Sequence, residues 1–170
     1  MKLDLTAEIF SVNAAAPDGE PTRQIDGIAV PYDTVAIVAS GQKVKFLPGS
    51  LPSDGPNPKF ILDHDLTRPL GMVTSRVDTP EAMMFSAKIS KTAAGDEALL
   101  LASEGFYDSV SVGVEPTDYT FDKKSGVMIV KAGKWRELSL LPFGAFEAAK
   151  VTSVAAAEPD PDPETPTPSE

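Results

Sequence analysis

Short runs in which apolar and polar side chains alternate recur along most of the chain, the pattern of half-buried β-strands. Ten such runs are read as strands: Leu3 to Val12, Gly27 to Val30, Val44 to Leu47, Lys59 to His64, Gly71 to Val77, Met83 to Ile89, Tyr107 to Val114, Tyr119 to Phe121, Val127 to Val130 and Lys134 to Leu141. Between the eighth and ninth, Asp122 to Gly126 is polar and ends in glycine, as a hairpin loop does. One segment breaks the alternation with a helical period. Ala93 to Glu104 is preceded by Thr92 as a cap, carries Asp96 and Glu97 in its first turn, and is followed by Gly105. A second short helix is expected near Phe146, and Pro48 to Pro58, with four prolines and two glycines, reads as a surface loop. The fold class that follows is α+β, mostly β, a barrel or sandwich with little helix.

Composition adds a boundary. From Glu158 onward thirteen residues hold five prolines, five acids and no apolar side chain, so ordering them would bury nothing. The chain is therefore expected to divide into a domain over 1–157 and a disordered, acidic, proline-rich tail over 158–170. That tail supplies half of the net charge of −10.

Charge and cysteine content then exclude several functions. With fifteen basic residues against twenty-five acidic ones, and no window rich in Lys and Arg, nucleic acid is not an expected partner. No cysteine is present, which removes disulfide frameworks, thiolate zinc sites and cysteine nucleophiles. The longest apolar runs, Val35 to Ala39 and Ala98 to Ala102, have five residues, against the roughly 18 that a membrane-spanning helix needs. Lys2, Asp4 and Glu8 interrupt any signal-peptide core. A soluble chain that is neither exported nor membrane-bound is expected.

Three segments could carry chemistry. His64 is the single histidine, so any Ser-His mechanism must use it. Strand alternation places it with Phe60 and Leu62 on one apolar face, partly desolvated, either as a base or as a ring that bonds a carbonyl at the strand end. Alternation turns Asp63 and Asp65 away from it and no second imidazole exists, which disfavours a metal site. In Tyr107 to Val114 the valines 110, 112 and 114 share one face and Ser109, Ser111 and Gly113 the other. The small neighbours leave Ser111 open to an approaching carbonyl, although an ordinary half-exposed strand would look the same. On the last strand Glu137 shares a face with Trp135 and Ser139. The strand alone favours an ion pair with Lys134 or Arg136 over a contact with His64.

Five segments in order, spread over Asp26 to Val154, carry a resemblance. They are Phe46-Leu47-Pro48-Gly49-Ser50-Leu51; His64-Asp65 followed by Pro69-Leu70-Gly71; Val110-Ser111-Val112-Gly113-Val114; Arg136-Glu137-Leu138-Ser139-Leu140; and Ala145-Phe146-Glu147-Ala148-Ala149-Lys150-Val151. In order and spacing the chain resembles the prohead, or capsid maturation, serine proteases of tailed bacteriophages, relatives of the herpesvirus assemblin. It departs from them in having Val114 where an aromatic often follows the glycine, and Leu141-Pro142-Phe143-Gly144-Ala145 where a Pro-Ala step is usual.

The resemblance implies a herpesvirus-protease-like β-barrel with one or a few packed helices and a serine endopeptidase of the Ser-His-Glu type, needing no cofactor. It implies Ser111 as nucleophile and His64 as base. Assemblin's second histidine has no counterpart here, so Glu137 is taken as the third member, with Asp108 and Glu81 as fallbacks. It further implies, as partners, the major capsid protein with its scaffolding segment, self-cleavage, homodimerisation, and a location inside the procapsid in the host bacterial cytoplasm. A non-catalytic capsid or scaffold component of the same fold is the alternative. Activity should fall on acidification, because a protonated imidazole cannot act as base.

Overall fold

The computed structural model describes residues 22–38 and 40–155. The strand expected at Leu3 to Val12 and the tail expected at 158–170 lie outside the described residues. Within them are nine strands and one helix: β1 (Gln24–Pro31), β2 (Val35–Ile37), β3 (Lys43–Phe46), β4 (Lys59–Leu62), β5 (Asp65–Asp78), β6 (Ala82–Ile89), α1 (Ala93–Ser103), β7 (Ser109–Asp122), β8 (Val127–Leu141) and β9 (Val151–Ala155).

All nine strands belong to one sheet, and β8 is its axis. Along one edge β8 pairs antiparallel with β7 over the full length of both. Along the other it pairs in parallel with two short strands in succession, β3 opposite Val127 to Val130 and β4 opposite Glu137 to Leu140. From β4 the sheet continues antiparallel through β5, β6 and β1 to β9. A single bridge, Ser109 to Lys150, then brings the residue before β9 against the start of β7, so the sheet curls round on itself. The concave side is filled by Phe60, Phe85, Leu70, Val73, Val110, Leu138 and Leu140, all buried, with the Phe60 and Phe85 rings stacked 6.2 Å apart. Each such side chain contributes about 1.5–3 kcal/mol by leaving water.

Four of the expected strands are halves of two. Tyr107 to Val114 and Tyr119 to Phe121 fuse into β7, and Val127 to Val130 and Lys134 to Leu141 fuse into β8. The breaks in the sequence at Pro116-Thr117-Asp118 and Ala132-Gly133 are absorbed as register shifts. Pro116 sits at one of these register shifts, and among the described residues no strand pairs with the far edge of β7 there. Two strands, β2 and β9, are not evident from alternation: β2 has three residues within an unbroken apolar run, and β9 reads Val-Thr-Ser-Val-Ala.

The helix agrees with its signals. The Thr92 hydroxyl accepts the Gly95 N–H at 3.0 Å, and Gly105 follows with φ +80°. No helix forms near Phe146. Pro142 and Gly144 disfavour one, and residues 142–149 run as turns whose anchor is the buried Phe146 ring, 6.1 Å from that of Phe46.

Candidate active site

The floor of the site is the stretch of β8 flanked on both sides by other strands. Opposite Glu137 lies Gly113 of β7, and opposite Ser139 lies Ser111. The register slips by one residue between Gly113 and Val114, so that Trp135 pairs with Val114. Trp135 thus joins the core and does not share a face with Glu137, contrary to simple alternation. The Glu137 carboxylate lies directly over Gly113: a Cβ built there would stand 2.3 Å from Oε1. Only a residue with no side chain leaves it that space.

His64 reaches this floor by a route that alternation does not give. Phe60 and Leu62 pair with Leu138 and Leu140, so a strand continued to residue 64 would carry the ring on the side away from Glu137. Instead β4 ends at Leu62, which pairs with Asp65 across a two-residue turn. Asp63 and His64 both have positive φ, 53° and 56°, the backbone of a type I′ hairpin turn, which normally takes Asn-Gly. Two left-handed residues with side chains cost on the order of 1–2 kcal/mol each. Local bonds hold them there. Asp63 N–H donates to Leu140 O at 3.1 Å, His64 N–H donates to Ser139 Oγ at 3.2 Å, and the Asp63 carboxylate accepts from Tyr107 Oη and Arg68. The turn reverses the ring onto the Glu137 side and leaves the His64 side chain 47% exposed, so it is not the desolvated end of an apolar stripe.

There His64 Nδ1 lies 3.0 Å from Glu137 Oε1 and 3.1 Å from Ser139 Oγ, while Ser139 Oγ donates to Glu137 Oε2 at 2.8 Å. Glu137, 12% exposed, therefore pairs with the imidazole and not with a strand neighbour; Arg136 pairs with Glu115 at 3.1 Å instead. Neither fallback acid is near the ring. Asp108 accepts from Ser109 Oγ at 2.7 Å and Lys150 Nζ at 3.1 Å, and these two donors hold its carboxyl below the usual aspartate range. Glu81 lines a separate cavity with Lys150 and Thr152. Of the acids beside His64, Asp65 is taken by the hydroxyl and N–H of Thr67, which lower its pKa. Among the described residues no cluster of three metal-ligating side chains forms.

Ser111 stands beside this group as a half-buried residue of β7. Among the described residues no hydrogen bond joins its hydroxyl to His64; the two meet as walls of one open cavity of about 680 Å3. Apart from Ser40, the other walls are apolar: Ile37 at the end of β2, Val38 after it, Val112, Leu141, and the turn Phe143-Gly144-Ala145. That turn lies close on β7, for a Cβ at Gly144 would come within 2.9 Å of Val110 O. A second, smaller cavity of about 190 Å3 adjoins Ser111 between Val38, Phe46, Met128 and Phe146. The sequence led to Ser111, His64 and Glu137, but it gave Ser139 no role and Gly113 only that of leaving space beside Ser111, not beneath the Glu137 carboxylate. The signal available was a hydroxyl two residues beyond the acid, on the same face of one strand.

No protein-family model matches the chain, and no curated protein matches it. Among solved structures it is similar to the Kaposi's sarcoma-associated herpesvirus protease in complex with an allosteric inhibitor, at a TM-score of 0.49 and 11% identity, with 75% of each chain covered. The likeness concerns the path of the backbone, and the roles assigned to side chains rest on their own geometry.

Proposed function

We propose that the chain is a serine endopeptidase in which Ser111 attacks the scissile carbonyl, His64 takes the Ser111 proton and returns it to the leaving amine, and Glu137 orients the imidazole and offsets its positive charge. The observation that carries this reading is the His64 Nδ1 to Glu137 Oε1 contact of 3.0 Å on a ring that shares a cavity with Ser111. Nδ1 engaged by a carboxylate leaves Nε2 as the basic nitrogen, the arrangement a general base requires. The Ser111 to His64 bond closes when substrate enters, as catalytic hydrogen bonds that are long in free enzymes commonly do. Backbone N–H groups of the Phe143 to Ala145 turn, held against β7, are the donors for the developing oxyanion. The mainly apolar walls, with Ser40 as the one polar side chain besides His64 and Ser111, suit a peptide substrate with apolar side chains beside the scissile bond.

The substrate we infer is a capsid protein bearing a scaffolding segment, cleaved, with the enzyme itself, during procapsid maturation of a tailed bacteriophage in the host cytoplasm. Support for this comes from the five ordered segments between Asp26 and Val154. Co-expression with the capsid protein, followed by mass spectrometry of the fragments, tests both levels. Wild-type chain should release the scaffolding segment, and Ser111→Ala should lose about 10⁴- to 10⁶-fold in rate, as triad losses do in subtilisin. Cleavage by Ser111→Ala at the wild-type rate overturns the mechanism. Cleavage of other peptides but never of capsid protein overturns the substrate, and no cleavage of anything favours the non-catalytic capsid component.

A further inference from the structure

We propose that Ser139 is a positioning residue that fixes the tautomer of His64. Its kinetic consequence rests on the protease reading above, but its structural consequence does not. A count of hydrogens carries the argument. The Glu137 carboxylate can only accept. Ser139 has one O–H, which Oε2 takes at 2.8 Å. The hydroxyl oxygen therefore turns lone pairs toward its other two neighbours, the His64 backbone N–H at 3.2 Å and Nδ1 at 3.1 Å. Nδ1 thus faces two acceptors, Ser139 Oγ and Glu137 Oε1, and a bare Nδ1 would set its own lone pair against both. The ring must carry its proton on Nδ1, which leaves the Nε2 lone pair for the cavity.

The same hydroxyl sets where the ring is. By accepting the His64 N–H it helps hold a left-handed residue in the turn, and by donating to Oε2 it stops the carboxylate rotating over Gly113. Ser139 is itself fully buried and does not line the cavity, so it acts through His64 and Glu137 and not on substrate. Without the hydroxyl, one carboxylate oxygen loses its donor, a backbone N–H loses its acceptor, and Nδ1 keeps one partner that is free to swing away.

The chain has one histidine, so its ring nitrogens are the only imidazole signals in the whole 170-residue protein. Two-bond 1H–15N spectra of 15N-labelled protein at neutral pH read the tautomer directly. Wild type should show a pyrrole-type Nδ1 and an imine-type Nε2. Ser139→Ala should show a larger share of the Nε2–H form and a kcat lower by about 10- to 100-fold, the loss typical when an outer partner of an oriented imidazole is removed in metal sites. KM should stay unchanged, since no substrate contact is lost. A wild-type spectrum dominated by the Nε2–H form overturns the proposal with no variant needed. So does a folded Ser139→Ala with the wild-type tautomer ratio. If the spectra behave as expected but Ser111→Ala still cleaves, the protease reading fails and the tautomer assignment stands.

Discussion

The two ends of the β7–β8 ribbon are built from the same pair of strands and behave as different materials. At the inner end, β4 pairs with the far edge of β8 along Glu137 to Leu140, the bridge from Ser109 to Lys150 meets the far edge of β7, and Ser109, Val110, Leu138, Ser139 and Leu140 are buried. At the outer end, Glu115 to Asp122 is exposed throughout, its far edge has no partner strand among the described residues, and two register shifts occur within four residues. The aromatic pair there, Tyr119 and Phe121, meets edge to face at 6.1 Å with about half of each ring in water. A strand held on both edges fixes which side chains meet. One held on a single edge tolerates proline, bulges and exposed rings. Of the residues proposed for catalysis, Glu137 sits on the first kind of strand and His64 on the turn bonded to it, while Ser111 sits on β7 two residues from its bridge to Lys150.

Substitutions at the two ends should separate accordingly. Gly113→Ala places a methyl where the Glu137 carboxylate lies, and the carboxylate must move by an ångström or more. Activity should fall about 10²-fold, the usual result of such a misplacement, while urea unfolding shows the protein still folded. Wild-type activity in this variant would mean that Glu137 is not the group orienting His64.

Acidification should act at the seam of the curled sheet. The Asp108 carboxyl is held below its ordinary value by the Ser109 hydroxyl and Lys150, so it binds a proton less readily folded than unfolded. Its contribution to stability is therefore complete above the ordinary aspartate range, near pH ~4, and is lost as pH falls through the lower folded value. The gap in thermal midpoint between wild type and Asp108→Asn should be open at neutral pH and close in strong acid; a gap independent of pH would remove the clamp from the account.

The smallest effect belongs to the outer end. Phe121→Ala should cost less than about 1 kcal/mol in urea unfolding and leave cleavage unchanged, since half-exposed aromatic pairs contribute modestly. A large loss of activity would show that the ribbon tip takes part in function.

Much of the architecture is legible in the sequence because period-two alternation is a local signal, and β1, β3, β6 and α1 fall close to where it puts them. What alternation cannot register is a change of phase. The bulge that parts Trp135 from Glu137 and the turn that swings His64 to the opposite face are both phase changes, each set by backbone geometry and not by a hydrophobic repeat. The ion pair favoured for Glu137 fails for a related reason. A strand considered alone offers only its neighbours, Lys134 and Arg136, whereas the partner that wins arrives through the parallel pairing of β4 with β8, 73 residues away in sequence.

That pairing has a bearing on timing. β8 is inserted between β4 and β7, and among the described residues no other strand pairs with both, so apart from the Tyr107 to Asp63 hydrogen bond the turn bearing the imidazole and the strand bearing Ser111 are aligned only once β8 is in place. Chains grow from the N-terminus, and a polypeptide still short of Leu141 holds the hydroxyl and the ring as strangers. On the proposed reading, hydrolytic competence would thus wait for the synthesis of β8, with no inhibitor needed to hold the earlier strands inactive.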